Sequence, residues 1–408
     1  MITRNISRRI FLKESIGLAV VSTAYKPLFG SGEGQNKKIF AYVGTYSAPG
    51  ANGGNGKGIY LFEMDPATGQ LTLIKLAAEL RNPTWLSFDP SGRFLYAAND
   101  LEGSASEAGA VTAFAVTRSD GSLQLLNAVS SEGEGPAHLS VDASGKYVFV
   151  ANYAGGSIAV LPISPTGALG QATYVRKDTD SVGPKLASSA PPGSFAISGH
   201  DGPHAHMIQA DPGGRFVLYA DLGQDRIYIS RFDHDTGKLS PVADSPFVAL
   251  PPGDGPRHFT FHRNGRWLYS TQEEASTVAF FHFDPQTGSI HLEQTISTLP
   301  PGFKGSNFTS EILLSPDGQF LYVANRLKNT VAVFSLNSDG RLKYVGETST
   351  MGDYPRNIAI DPGGDFLYAC NHRSDDVTSF RVDKKSGRLT FTGQYTAVGS
   401  PACITFLG

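Results

Sequence analysis

Apolar and polar residues alternate along this chain in short stretches that favour β-strands over long helices. Short apolar runs such as Trp85–Phe88 and Ile358–Ile360 lead into a D-P-x-G turn. A run rich in aromatic and β-branched residues follows, as in Phe320–Ala324. The whole phrase recurs. It reads FDPSGRFLYAAND at Phe88–Asp100, VDASGKYVFVANY at Val141–Tyr153 and ADPGGRFVLYADL at Ala210–Leu222. It returns as FHRNGRWLYSTQE at Phe261–Glu273, LSPDGQFLYVANR at Leu314–Arg326 and IDPGGDFLYACNH at Ile360–His372. Its glycines, Gly92, Gly145, Gly214, Gly265, Gly318 and Gly364, are 53, 69, 51, 53 and 46 residues apart. That period suits a propeller blade of four short strands.

A second phrase, two strands around a D-x-x-T-G-like turn, occurs seven times, starting at Gly58, Gly109, Gly156, Asp225, Ser276, Asn329 and Asp375. The missing copy of the first phrase is split between the chain ends: Ser400–Phe406 matches its opening strand and Ile39–Tyr46 the strand after the turn. The pattern therefore predicts an all-β fold, a seven-bladed β-propeller with four antiparallel strands per blade and one blade closed by both termini. Closure leaves no free sheet edge. One segment lies outside the repeat. Asp178–Gly202, rich in Pro, Gly and Ser, reads either as a surface loop or as a loop folded over a site, since it leads into Pro203-His204-Ala205-His206.

Composition adds limits. The 408 residues carry a net charge of −3, which provides no basic footprint for nucleic acid. Ser7-Arg8-Arg9-Ile10-Phe11-Leu12-Lys13 closely matches a twin-arginine export signal, followed by a short apolar stretch at Ile16–Val21 and small residues at Ser22–Ala24. Residues 1–36 are read as signal and linker, and 37–408 as the propeller. The apolar stretch is too short to span a bilayer stably. The expectation is a periplasmic or secreted monomer with no membrane association after cleavage. Cys370 and Cys403 fall on expected inner strands. An oxidising compartment would permit a disulfide, but two buried free thiols are expected.

The repeat also serves as a ruler. Eight residues before the anchor glycine stand Thr84, Ala137, His206, Arg257, Ser310 and Arg356; the next position holds Trp85, His138, Met207, His258, Glu311 and Asn357. Eight after it come Asp100, Tyr153, Leu222, Glu273, Arg326 and His372, with Tyr46 from the shared blade. Strand one starts where strand two ends, so these positions converge on one mouth of the central channel. Asn99, Asn152, Asn325 and Asn371, which recur in four blades, read as structural. Polar residues are expected at strand ends, but three arginines facing one mouth need an anion or the glutamates among them. The set suits acyl or proton transfer on an anionic substrate, with Arg stabilising an oxyanion and Glu or His moving a proton. No G-x-S-x-G elbow supports a Ser310 triad. His204 and His206 share a strand face at a spacing that rarely builds a metal site alone, so neither metal nor cofactor is expected.

At these residues the chain resembles the lactonase family of seven-bladed propellers, which includes 6-phosphogluconolactonases and the 3-carboxy-cis,cis-muconate lactonizing enzyme. The resemblance covers Ile39–Gly408 and rests on YVGTYS at Tyr42–Ser47, GPHAHMIQADPGGRF at Gly202–Phe216, ADLGQDRIYISRFD at Ala220–Asp233, GPRHFTFH at Gly255–His262, SEILLSPDGQFLYVANR at Ser310–Arg326 and YPRNIAIDPGGDFLYACN at Tyr354–Asn371. It implies His206, Arg257, Glu273 and Arg326 as catalytic residues. His204, His258, Glu311, Arg356 and His372 are the expected substrate-binding residues, for a small lactone or an anionic sugar acid. The implied activity is lactone hydrolysis; a lactone-closing cycloisomerase or a non-catalytic exported binding propeller are the alternatives. An export signal fits poorly with a phosphorylated gluconolactone, a metabolite of the cytoplasm.

Overall fold

The computed structural model describes residues 38–48, 53–100, 109–196, 199–243 and 246–408. The expected export signal within residues 1–36 lies outside the described residues. Lys38–Gly408 forms one compact unit. Seven antiparallel sheets, six built on four consecutive strands and one on the first three strands plus the last, make up this unit. Blade 1 pairs the C-terminal strand Pro401–Leu407 with Ile39–Thr45, followed by Gly58–Met64 and Leu71–Glu79. The expected closure by both termini is what the structure contains. Blades 2 to 7 start at Pro83, Pro136, Ala205, Pro256, Thr309 and Pro355. Blade 4 carries an additional short strand, Phe247–Ala249, beside Arg226–Asp233.

The second strand of each blade is buried on both faces, which is why it reads as a nearly continuous apolar run; Phe320–Asn325 is buried throughout. Seven apolar clusters fill the seven gaps between adjacent blades. The recurrent tyrosine of that strand adds a link. Tyr42, Tyr96, Tyr269, Tyr322 and Tyr368 donate to the carbonyls of Gly121, Gly167, Gly340, Gly387 and Gly69, each in the outer turn of the next blade. The last of these bonds runs from blade 7 to blade 1 and joins the two ends of the series.

The D-P-x-G turn is held by its own Asp. Asp89, Asp142, Asp211 and Asp361 each accept the N–H of the residue that opens the second strand, at 2.6–2.7 Å. The glycine at its end has positive φ, as in Gly92 at 65°. Asn99, Asn152, Asn325 and Asn371 donate to the carbonyls of Arg81, Ser131, Thr298 and Thr350, in the links entering their blades. Their role is structural. Cys370 and Cys403 are buried and unbridged. Among the described residues, no helix is long and apolar enough to cross a membrane.

Candidate active site

Strict strand alternation would send successive residues of an inner strand to opposite faces. The inner strands break that rule at one place. In every blade the register slips by one residue between the first and second strands. The extra residue is Thr84, Ala137, His206, Arg356 or Ala402 in five blades. In blades 5 and 6 the slip falls across Arg257-His258 and Ser310-Glu311. A β-bulge re-aims side chains, and here two consecutive positions turn toward the channel at two depths.

The shallower layer builds a recess of about 130 Å³ lined by Tyr46, Asp100, Ala137, Tyr153, His206, Glu273, Arg326, Tyr354 and Arg356. It is smaller than the ~300–1,000 Å³ typical of drug-sized ligands, and suits a small polar molecule. Glu273 Oε2 lies 2.9 Å from Arg257 Nε and 2.6 Å from Arg326 Nη2. Arg326 Nη2 also donates to the Thr309 carbonyl at 2.9 Å. Both guanidinium groups are almost fully buried. Arg257 Nη1, Arg326 Nε and His206 Nδ1 are buried with no protein hydrogen-bond partner among the described residues. His206 and Arg326 line the recess while Arg257 does not, and unmatched buried donors of this kind call for a polar partner.

Burial raises the Glu273 carboxyl, but Arg326 and Arg257 outweigh it and hold the group below its usual value. Glu273 is therefore an anion with little appetite for a proton. Burial and the charge of Arg326 bring Arg257 down to about 10, against the pull of Glu273. Arg326, nearer the carboxylate, moves up despite its burial. Burial, then Arg257 and His258, push His206 well below the ordinary imidazole value. His206 is thus a neutral imidazole at neutral pH, packed edge-on against Tyr153 at 5.2 Å and His258 at 5.0 Å.

Residues 40–406 match the family described as lactonase, 7-bladed beta-propeller. The chain belongs to that family. A Bacillus subtilis (strain 168) protein named 6-phosphogluconolactonase is 32% identical over 371 residues, covering 91% of this chain and 99% of the relative. A Formosa agariphila protein of the same name is 30% identical over 338 residues, 82% of this chain and 91% of the relative. The solved structure of a periplasmic gluconolactonase from Pseudomonas aeruginosa superposes with a TM-score of 0.79 at 30% identity, covering 91% of this chain and 99% of that one.

Within this lactonase-family fold, the nine sequence-derived residues separate into groups. His206, Glu273, Arg326 and Arg356 line the recess, and Arg257 reaches Glu273 without lining it. His372 stands behind the wall, against Tyr46 at 5.1 Å and Tyr354 at 6.3 Å. His258 and Glu311 lie one layer deeper, not on the recess wall. His258 Nδ1 is 3.1 Å from Glu311 Oε1, and Asn357 donates to Glu311 Oε2 at 2.8 Å. There His258 meets Trp85 from across the ring at 5.2 Å. Their placement under the bulge suits holding Arg257 in position, not touching a substrate. His204 is also outside the wall, stacked on Tyr153. Among the described residues, no cluster of three or more His, Cys, Asp or Glu gathers for a metal.

Two residues had no sequence signal as site members. Tyr354 precedes Arg356 by two and holds φ 63°, a strained backbone that sequence does not show. Glu274 follows Glu273 and turns away from the recess. Its Oε1 accepts the Gly199 N–H at 2.9 Å. Burial and the neighbouring Glu273 push its carboxyl well up. Gly199 belongs to the insertion, which fastens along the pocket-side rim. Ser189 N donates to Asp254 and His200 pairs with Asp225 at 3.0 Å each, and Ser194–Phe195 pairs in parallel with Gly305–Ser306. The insertion is a strap beside the site.

Proposed function

We propose that the protein hydrolyses a small lactone in this recess. One observation supports the reading: a neutral, buried imidazole lines the same small cavity as Glu273 and Arg326, and Arg257 is joined to them through that carboxylate. In the proposed cycle, the lactone carbonyl oxygen lies against Arg326, with Arg257 behind it on Glu273. His206 takes a proton from water as the water oxygen attacks the carbonyl carbon. The resulting oxyanion is held by Arg326 and by the positive charge of Arg257 behind it. It collapses by breaking the ring C–O bond, and the His206 imidazolium returns its proton to the departing ring oxygen. The product is the open hydroxy acid. Glu273 holds the arginines apart and aligned; with its depressed pKa it serves as an anchor, not as the base.

We further propose that the substrate is an unphosphorylated sugar-acid lactone met outside the cytoplasm. The Arg8-Arg9 motif supports this, as does the 30% identity to a protein titled periplasmic gluconolactonase. A panel of phosphorylated and unphosphorylated lactones tests both parts. Wild type should open the unphosphorylated ones, and His206→Gln and Arg257→Ala should each lower kcat by about 10²–10⁴-fold. Turnover surviving both substitutions would dismiss this site. Replacing Arg8 and Arg9 with lysine should trap the protein in the cytoplasm; unchanged export would dismiss the twin-arginine route, and wild-type protein retained in the cytoplasm would dismiss the localisation.

A further inference from the structure

The layer beneath the recess contains a chain of hydrogen bonds whose direction is settled by a backbone group. The side-chain oxygen of Asn357 accepts the Ile404 N–H at 3.1 Å, so its amide nitrogen is the donor to Glu311 Oε2 at 2.8 Å. Glu311 Oε1 accepts the Ile312 N–H and meets His258 Nδ1, both at 3.1 Å. Burial raises the Glu311 carboxyl, but His258 and Arg257 outweigh it and hold the group below its usual value. It is therefore a carboxylate, which only accepts. Burial keeps His258 below the ordinary imidazole value despite the pull of Glu311, so the ring carries one proton at neutral pH. That proton sits on Nδ1, and Nε2 is left with a lone pair. His258 Nε2 is buried and has no hydrogen-bond partner.

The ring above has the opposite deficiency. His206 lines the recess with its Nδ1 buried and unpartnered, which leaves Nε2 as the nitrogen toward the cavity. To act as a base there, the neutral ring must keep Nε2 bare and hold its proton on Nδ1, where the structure gives it no acceptor. The two rings cross at 74° with centroids 5.0 Å apart. At that separation, nitrogens turned toward one another reach hydrogen-bond distance. We propose that His258 and Glu311 are positioning residues that select the tautomer of His206: Glu311 keeps the His258 proton on Nδ1, His258 Nε2 accepts the His206 Nδ1–H, and the His206 Nε2 lone pair is held in the recess. Which nitrogen of an imidazole carries the proton is set by the hydrogen bond that the other makes. Neither histidine changes charge near neutral pH in this arrangement, so the relay leaves kcat/KM level there and acts through kcat.

The proposal rests on the recess being the substrate site and on His206 being its base. Nitrogen-15 spectra of histidine-labelled protein, assigned by the signals lost in His206→Gln and His258→Phe, should show both residues protonated on Nδ1 alone at neutral pH. Glu311→Leu frees the His258 proton to move to Nε2, and His258→Phe removes the acceptor outright. In either variant the His206 proton should shift toward Nε2. With a lactone that turns over, KM should stay within about twofold while kcat falls about 10–100-fold, the loss typical when a partner that orients a functional imidazole is removed. Glu311→Gln keeps an oxygen to accept from His258 Nδ1 and should recover most of that kcat. A purely structural role would lower the melting temperature of these variants without moving the His206 nitrogen signals, and that result would overturn the proposal. So would Nε2 protonation of His206 in the wild type. The wild-type spectrum decides even where a variant does not fold. It needs no substrate, so failure of the lactone-hydrolase reading and failure of the relay are told apart.

Discussion

At Glu273 one carboxylate holds two buried guanidinium groups, and this fixes the behaviour of the site in acid. The folded-state pKa of Glu273 is depressed, so its contribution to stability is present above the unfolded value of about 4.3 and is lost as pH falls through the folded value. Glu273→Gln removes the charge at every pH and leaves Arg257 and Arg326 to repel. Breaking a buried pair in this way costs about 3–5 kcal/mol. Chemical denaturation at neutral pH should show that loss, with the variant closing the gap to wild type in acid. His206 makes a second acid-limb prediction. Its pKa lies well below the imidazole norm, and a base works only when unprotonated. kcat/KM should therefore stay level through neutral and mildly acid pH and fall only below the usual imidazole range. A fall centred near pH 6.5 would place an ordinary, exposed histidine in the role. The four residues at this scale were legible because their columns break the repeat. His204 was misplaced because the sequence does not reveal that the inner strand starts only at Ala205 and that the ring before it turns onto Tyr153.

Each strand carries both a regular signal and a local exception. The aromatic strand, the Asp-held turn and the seven hairpins follow from pattern, since each unit uses the same hydrogen bonds. The bulge does not, because period-2 alternation assigns Arg257 and His258 to opposite faces and nothing in the residue types announces the slip. The recurrent tyrosines give a prediction at this level. Tyr322→Phe leaves the Gly387 carbonyl without the donor that now reaches it at 3.0 Å. Unfolding free energy should drop by about 1–3 kcal/mol, with kcat and KM unchanged, because the bond lies at the outer rim. The strap gives another. Glu274 has a raised pKa, so its neutral form is favoured in the fold. Its contribution is whole below about pH 4.3 and erodes as pH rises toward the folded value. Glu274→Gln keeps an acceptor for Gly199 N–H and removes the ionisation. The variant should lose less stability than wild type between acid and neutral pH when both are followed by denaturant titration.

Closure of the ring sets the behaviour of the whole molecule. Six blades are made of strands close in sequence, but blade 1 waits for the last residues of the chain: Phe40 pairs with Leu407 and Gly44 with Cys403. Contacts of such sequence separation form late, after a large loop entropy has been overcome. The C-terminal strand also feeds two of the inter-blade layers, through Ile404 in one and Cys403 with Leu407 in the other. Removing residues 400–408 should thus do more than shorten an edge. It strips blade 1 of its inner strand, opens two apolar layers and exposes the backbone of Ile39–Thr45 as a template for pairing with other chains. The expected outcome is loss of the single cooperative melting transition and concentration-dependent association in light scattering. A synthetic peptide of residues 400–408 added in trans should restore the transition by filling the same strand position. The site would respond with it, because Tyr46 follows that pairing and lines the recess with Arg356 stacked at 4.9 Å on its ring. A truncated protein that melts cooperatively and turns over substrate without the peptide would show that six blades and a partial seventh suffice, and that closure is not what holds the mouth in shape.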